Sequence, residues 1–260
     1  MISSQIGNRQ AEQSTNSIEE LKVKKFNAEI GNLKNFDCPK CKNKGFNGKL
    51  DENGLFAVDQ CECYKTRNSI TKIKKSGLED LLQEYTFDKY EAKEDWQKDI
   101  KSKALAFLDD NYKKWFYIGG QVGSGKTFIC TAIADEFLKR GNQVVYMKWQ
   151  DEIVTLKANK TNYDEYGKIM DGFKNAEVLY IDDLFKVKEG TTLTPADVNT
   201  THELINYRYD KHGLITIISS EYTTKNLLCI DEALGSRVYQ RSKDYQVNIA
   251  PDIKKNYRLR

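Results

Sequence analysis

Eight consecutive residues, Gly120-Gln-Val-Gly-Ser-Gly-Lys-Thr127, follow the pattern G-x-x-x-x-G-K-[ST], which suits a loop that holds nucleotide phosphates. Gly120, Gly123 and Gly125, with Ser124 between the last two, permit backbone angles and close approaches that a Cβ would block. Successive N–H groups can therefore converge on phosphate oxygens. Lys126 adds a mobile positive charge, and the Thr127 hydroxyl is a ligand type for Mg²⁺. Trp115-Phe-Tyr-Ile118 before the loop reads as a strand. Ile129, Ile133 and Phe137, with Cys130, Ala134 and Leu138, give helical spacing from Lys126 onward. The loop thus lies where a helix N-terminus can face an anion.

Such a loop needs an acidic partner at the end of a neighbouring strand, and Val178-Leu-Tyr-Ile-Asp182-Asp183 supplies one about 55 residues after Lys126. Asp182 is expected to hold Mg²⁺ opposite Thr127, and Asp183 to orient or deprotonate the attacking water. Ser219 and Ser220 end the apolar run Ile215–Ile218, which places a hydroxyl near the terminal phosphate; Ser220 is taken as that group. Arg237, after Gly235-Ser236, opens another expected helix and is a candidate to stabilise charge during phosphoryl transfer.

Four of the six cysteines form a second constellation, Cys38-Pro-Lys-Cys41 and Cys61-Glu-Cys63, separated by 19 residues. Two close pairs of this kind can complete a tetrahedral S₄ set around Zn²⁺ with no open position, a structural site rather than a catalytic one. A redox pair or free thiols are the alternatives. Lys40, Lys42 and Lys44 would offset the charge of a zinc–thiolate centre. Cys130 and Cys229 lie in apolar segments and are expected to be small core residues.

These sites must be carried by short apolar runs separated by helical patterns. Beyond the two strands already named, Val144-Val-Tyr-Met147, Ile215-Thr-Ile-Ile218 and Tyr245-Gln-Val-Asn-Ile249 read as strands, with helices over 67–84 and 95–110. The pattern predicts an α/β fold, a buried parallel sheet with helices on both faces. Residues 1–35 are polar, with scattered apolar positions that suit one amphipathic helix or partial disorder. A 260-residue chain can bury one large core and a small accessory module. The expected division is an N-terminal module over 1–75 and a nucleotide-binding domain over 76–260. Net charge is +3, and residues 1–75 carry 14 Lys/Arg against 9 Asp/Glu. That bias fits a solvated surface or a weak nucleic-acid or partner patch. No apolar run approaches the roughly 20 residues that span a bilayer, and no signal pattern opens the chain, so a cytoplasmic protein is expected.

Together these residues resemble the DnaC/DnaI-type replicative helicase loaders, AAA+ ATPases, in their phage and prophage versions. The resemblance rests on the cysteines, Tyr85-Thr-Phe-Asp-Lys-Tyr90, the phosphate loop, Asp182-Asp183, Ile217-Ile-Ser-Ser220 and Gly235-Ser-Arg237. It implies an AAA+ (ASCE P-loop) sheet that binds ATP and Mg²⁺, with a zinc-binding module that grips a hexameric helicase. It further implies self-assembly into a ring or spiral in which Arg237 completes a neighbour's site, and contact with single-stranded DNA. Only 19 residues follow Arg241, too few for the helical lid of other AAA+ proteins. Asp183 stands where Glu is common, which points to slow, assembly-dependent hydrolysis. Tyr85, Phe87 and Tyr90 could wall an adenine or simply pack the core. Lys186 and Lys188 after Asp183, with Phe185 between, offer charge and a stacking ring to DNA, and Arg258 is a second-sensor candidate. An IstB-type transposase helper, or a non-catalytic zinc adaptor using ATP as a structural ligand, would share much of this pattern.

Overall fold

The computed structural model describes residues 18–34, 37–75, 78–110 and 114–259. Contacts divide the chain into two compact units, Met1–Asn68 and Ser69–Arg260. Where the sequence suggests a boundary after residue 75, this division falls seven residues earlier, inside a helix.

The first unit contains a helix over 18–28 (α1), an antiparallel hairpin of β1 (Phe46–Leu50) and β2 (Phe56–Gln60), and the start of α2 (Cys63–Lys75). Of the polar stretch 1–35, residues 1–17 and 35 lie outside the described residues. The hairpin turn is held by Asp51, whose Oδ1 accepts from the N–H groups of Asn53 and Leu55, both at 2.9 Å. Gly54 adopts φ +77° there. Asn27 of α1 exchanges two hydrogen bonds with the Gly48 backbone, and Phe26 meets Phe56 edge-on at 5.6 Å. Among the described residues of this unit, the buried hydrophobic side chains are the four cysteines alone.

The second unit is a five-stranded parallel sheet in the order β4-β5-β6-β3-β7. Its strands are β3 (Trp115–Gly120), β4 (Val144–Lys148), β5 (Val178–Leu184), β6 (Ile215–Ser220) and β7 (Gln246–Ile249). The central strands β3 and β6 are buried at every position, as expected where helices cover both faces. The alternating strand pattern sorts side chains onto two cores. Phe116, Ile118, Val178, Tyr180, Ile215 and Ile217 face α4 (Asp95–Asp109) and α5 (Lys126–Lys139). Trp115, Tyr117, Leu179, Ile181 and Ile218 face α6 (Trp149–Ala158), α7 (Tyr163–Lys174), α8 (Pro195–Asp210), α9 (Thr224–Ile230) and α10 (Glu232–Ser242).

The single helix expected over 67–84 is instead two, α2 and α3 (Glu79–Glu84). Ser76-Gly77 in the intervening sequence is a poor helix former. Gly235-Ser236 is not a break but part of α10. A Cβ on Gly235 would lie 2.6 Å from the Leu228 N, so glycine lets α9 and α10 approach. Cys130 is buried as expected, whereas Cys229 is exposed, on the outer side of α9. Among the described residues, no helix is long and apolar enough to cross a membrane.

Candidate functional site

The phosphate loop leaves β3 at Gly120, whose φ of +107° and close approach to the Ile249 carbonyl both require glycine. A Cβ there would sit 2.0 Å from that oxygen. Gly125 (φ +84°) caps α5, directing the helix N-terminus into the loop. Ser124 Oγ donates to the Gln121 carbonyl at 2.7 Å and closes the turn. Lys126 Nζ folds back onto the Gly120 and Gln121 carbonyls at 3.0 and 2.7 Å. Burial pulls its pKa below the ordinary lysine range, while Glu221 and Asp183 pull the other way.

Strand register brings the acids to this loop. Asp182 shares the α5 face of the sheet with Val178 and Tyr180, and its Oδ1 accepts from Thr127 Oγ1 at 3.3 Å. Tyr180 OH (2.8 Å) and Ser219 Oγ (2.5 Å) donate to the same oxygen, and Tyr146 OH to Oδ2 at 3.0 Å. Three hydroxyls thus converge on Oδ1 and one on Oδ2, which fixes the orientation of the carboxylate and leaves Oδ2 with acceptor capacity. Asp183 occupies a register shift between β5 and β6 with φ +55°, a left-handed conformation that Asp tolerates better than most residues. The bulge turns its carboxylate out of the ladder and toward the loop, and its N–H donates to Ser219 Oγ at 2.9 Å.

The serine position needs correction. Ser220 points to the opposite face of β6, where its hydroxyl donates to the Leu184 carbonyl at 2.8 Å and accepts from the Tyr222 N–H. Ser219 is the hydroxyl that faces Asp182. Phe185 is also displaced from its expected role. It is fully buried edge-on against Trp149 at 5.5 Å and cannot stack on a base, while Lys186 is ion-paired to Asp183 at 2.8 Å and Glu221 at 3.2 Å.

A cavity of about 360 Å³ opens over the loop, lined by Lys126, Thr127, Asp183, Lys186 and Glu221 together with the rings of Tyr85, Tyr90 and Phe128. Tyr85 stacks on Phe128 at 4.5 Å, and Tyr90 meets the same ring edge-on at 5.3 Å. Phe87 instead packs into the α4–α5 core. The C-terminal segment closes the rim: Tyr257 N–H donates to the Gly123 carbonyl at 2.9 Å, and Asp252 N–H to Gln121 Oε1 at 2.8 Å. Tyr257 and Arg258 both line the cavity. Arg237 is not brought to this cavity. It lies on α10, donating to the Ala233 carbonyl at 2.8 Å with its guanidinium over the Tyr209 ring.

In the other unit the hairpin closes the gap between the cysteine pairs, because Phe46 pairs with Gln60 and so sets Cys41 and Cys61 at the same end of the ladder. Cys63 is the first residue of α2, which is how a C-x-C pair can aim both sulfurs inward. The four Sγ atoms lie within 4.8 Å of one another, with Cys38–Cys61 at 3.7 Å and Cys41–Cys63 at 3.6 Å. A tetrahedral ion with bonds of about 2.3 Å separates its sulfurs by about 3.8 Å, so the set fits zinc. Burial pushes the Cys63 thiol up to about 12. For Cys41 burial acts in the same direction, but the Gly45 N–H and the neighbouring thiols more than offset it and hold it at about 7.

Tyr146, Tyr180, Phe128 and the C-terminal rim escape a motif search. The tyrosines have a sequence signal, since Tyr146 and Tyr180 share the strand parity of Val144, Val178 and Asp182.

A family model described as IstB-like ATP binding protein matches residues 59–258. The chain belongs to this family. The IstB/DnaC-like AAA+ relationship extends to individual proteins. The uncharacterized protein YqaM of Bacillus subtilis (strain 168) is 34% identical, covering 77% of this chain and just under two thirds (66%) of YqaM. The phage-like element PBSX protein XkdC of the same organism is 31% identical over 82% of each chain. The replicative helicase loader DnaC of Escherichia coli (strain K12) is 24% identical over 65% of this chain and 67% of its own. Among solved structures, the DnaC helicase loader has a TM-score of 0.53 at 21% identity, covering 65% of this chain and 97% of that one. DnaI gives 0.53 at 20%, with 66% and 92% covered. The IstB-like chain therefore has the DnaC/DnaI fold.

Proposed function

We propose that the chain is an ATPase that loads a replicative DNA helicase onto single-stranded DNA. The observation that carries this reading is the assembled site itself: a phosphate loop, Asp182 joined to Thr127, and Asp183 at the cavity wall, with Arg237 displayed away from it. The loader named among the relatives, and the four-cysteine unit attached to the ATPase domain, support the more specific role.

In this reading Gly120, Gly123, Ser124, Gly125 and Lys126 cradle the β- and γ-phosphates, and Tyr85, Tyr90 and Phe128 wall the base. Thr127 and Asp182 would hold Mg²⁺, which neutralises phosphate charge. Because three hydroxyls occupy Asp182 Oδ1, that oxygen orients Thr127, and Oδ2 is the one left to hold the ion directly or through water. Asp183 orients the water that takes the terminal phosphoryl group, and Ser219, rather than Ser220, links the two acids. Arg237 acts on the site of an adjacent copy in a ring or spiral. Cys38, Cys41, Cys61 and Cys63 hold Zn²⁺ in a unit that grips the hexameric helicase. A cytoplasmic setting follows from that partnership.

Arg237→Ala is expected to leave nucleotide affinity within about twofold while lowering assembly-dependent hydrolysis by about a thousandfold, the scale of an arginine acting in trans. Steady-state hydrolysis at matched, verified assembly tests this; equal rates remove the trans role. For the partner, affinity capture of purified host and phage replicative helicases by the full chain is the direct test. The matching family model also supports a second reading, a transposase helper. Failure to bind either helicase, with binding to a transposase, would establish that alternative.

A further inference from the structure

Two carboxylates, Asp183 and Glu221, face a cavity shaped for an anion, an arrangement that by itself would repel a nucleotide. Lys186 resolves the conflict. Its ammonium bridges Asp183 Oδ2 at 2.8 Å and Glu221 Oε1 at 3.2 Å, and all three side chains line the cavity with Lys126. Lys126 lies within electrostatic reach of all three. The Lys186 side chain is 34% exposed, on a flexible stem with rotatable donors, so it can exchange partners without unpacking the core. The turn beneath it is firm: Lys186 N–H donates to the Asp183 carbonyl, Asp183 N–H to Ser219 Oγ, and Phe185 is fully buried.

We infer that Lys186 is a triphosphate-sensing residue, which leaves Asp183 for the terminal phosphate of a bound nucleoside triphosphate and stays on Asp183 when a diphosphate is bound. This rests on reading the cavity as the ATP site. A terminal phosphate brings additional negative charge to the end of the cavity where Lys186 is shared between two acids, and a phosphate oxygen competes directly for the ammonium. Its departure uncovers the Asp183 carboxylate at the moment a triphosphate is present. Asp183 is then available to water only in that state. A diphosphate lacks that terminal phosphate and its charge, so the ion pair persists and the acid stays occupied.

The test compares affinities of the full-length protein for a non-hydrolysable ATP analogue and for ADP, both with Mg²⁺, by titration calorimetry. Lys186→Met is expected to weaken the analogue at least tenfold more than ADP, a difference of about 1.4 kcal/mol. Lys186→Arg should recover most of that preference. Glu221→Gln, which loosens the lysine, should shift preference toward the triphosphate. Equal losses for the two nucleotides in Lys186→Met, or an unchanged ratio in Glu221→Gln, would overturn the inference while leaving the ATP site intact. Wild-type protein that binds neither nucleotide would overturn the ATP-site reading and this inference together.

Discussion

Purified without chelators, the protein is expected to carry about one zinc per chain, and stripping that metal will unfold the N-terminal unit. The reason is the composition of its interior. In most small domains an apolar core outweighs the chain entropy, which costs roughly 1–2 kcal/mol per ordered residue. Here the buried hydrophobic side chains among the described residues of the unit are Cys38, Cys41, Cys61 and Cys63. Phe46, Leu55 and Val58 remain exposed. The hairpin alone is a two-stranded sheet of five-residue strands, marginal in water without support. Binding of structural zinc contributes about 10–16 kcal/mol in small zinc-dependent folds at neutral pH, far more than Phe26, Asn27 and Glu19 can supply through their contacts. Metal analysis should give one equivalent. After chelation, thiol titration should find four newly reactive cysteines, and proteolysis should cut within residues 18–68 while the sheet of the second unit resists. Cys41→Ser should reproduce the effect. A metal-free preparation with an intact, protease-resistant N-terminal unit would show that the four sulfurs hold no structural ion.

What the sequence disclosed depends on how local the determining interaction is. The phosphate loop was legible because its glycines, lysine and threonine act within eight residues, and the flanking strand and helix announce themselves by period. The strand ends were less so. β3 continues through Gly119 and Gly120, where glycine discourages an extended assignment, because parallel pairing with Ser220 and Ile249 holds it. Side-chain direction at the ends of β5 and β6 was open to reading but required following parity. Counting by twos from Ile215 and Ile217 leads to Ser219, not Ser220, and from Val178 through Tyr180 to Asp182. The fate of Phe185 was not legible, since only the tertiary contact with Trp149 and the left-handed backbone at φ +65° turn it inward. Nor was the approach of the C-terminal segment to Gly123. A Cβ at that glycine would lie 2.0 Å from Asn256 Oδ1, a constraint set by residues more than a hundred positions away.

Lys126→Ala is expected to abolish measurable ATP binding while leaving the fold intact. The Lys126 ammonium donates to the Gly120 and Gln121 carbonyls and lines the cavity over the loop, so its removal frees two acceptors beside that cavity. Two freed acceptors at a partly buried position should lower stability by about 1–3 kcal/mol. With nucleotide bound, the same ammonium would face phosphate oxygens in a partly desolvated loop, where a hydrogen bond between charged groups contributes about 3 kcal/mol or more. Affinity should fall by more than a hundredfold. The two effects separate in one thermal-denaturation experiment. Wild-type protein at 100 times its dissociation constant should gain about 2.7 kcal/mol from ATP, whereas the variant should melt somewhat below the wild-type ligand-free temperature and gain less than about 0.4 kcal/mol from the same ATP. A variant stabilised by ATP as strongly as the wild type would show that the loop does not hold the phosphates. Asp182, Asp183 and Lys186 would then need another role.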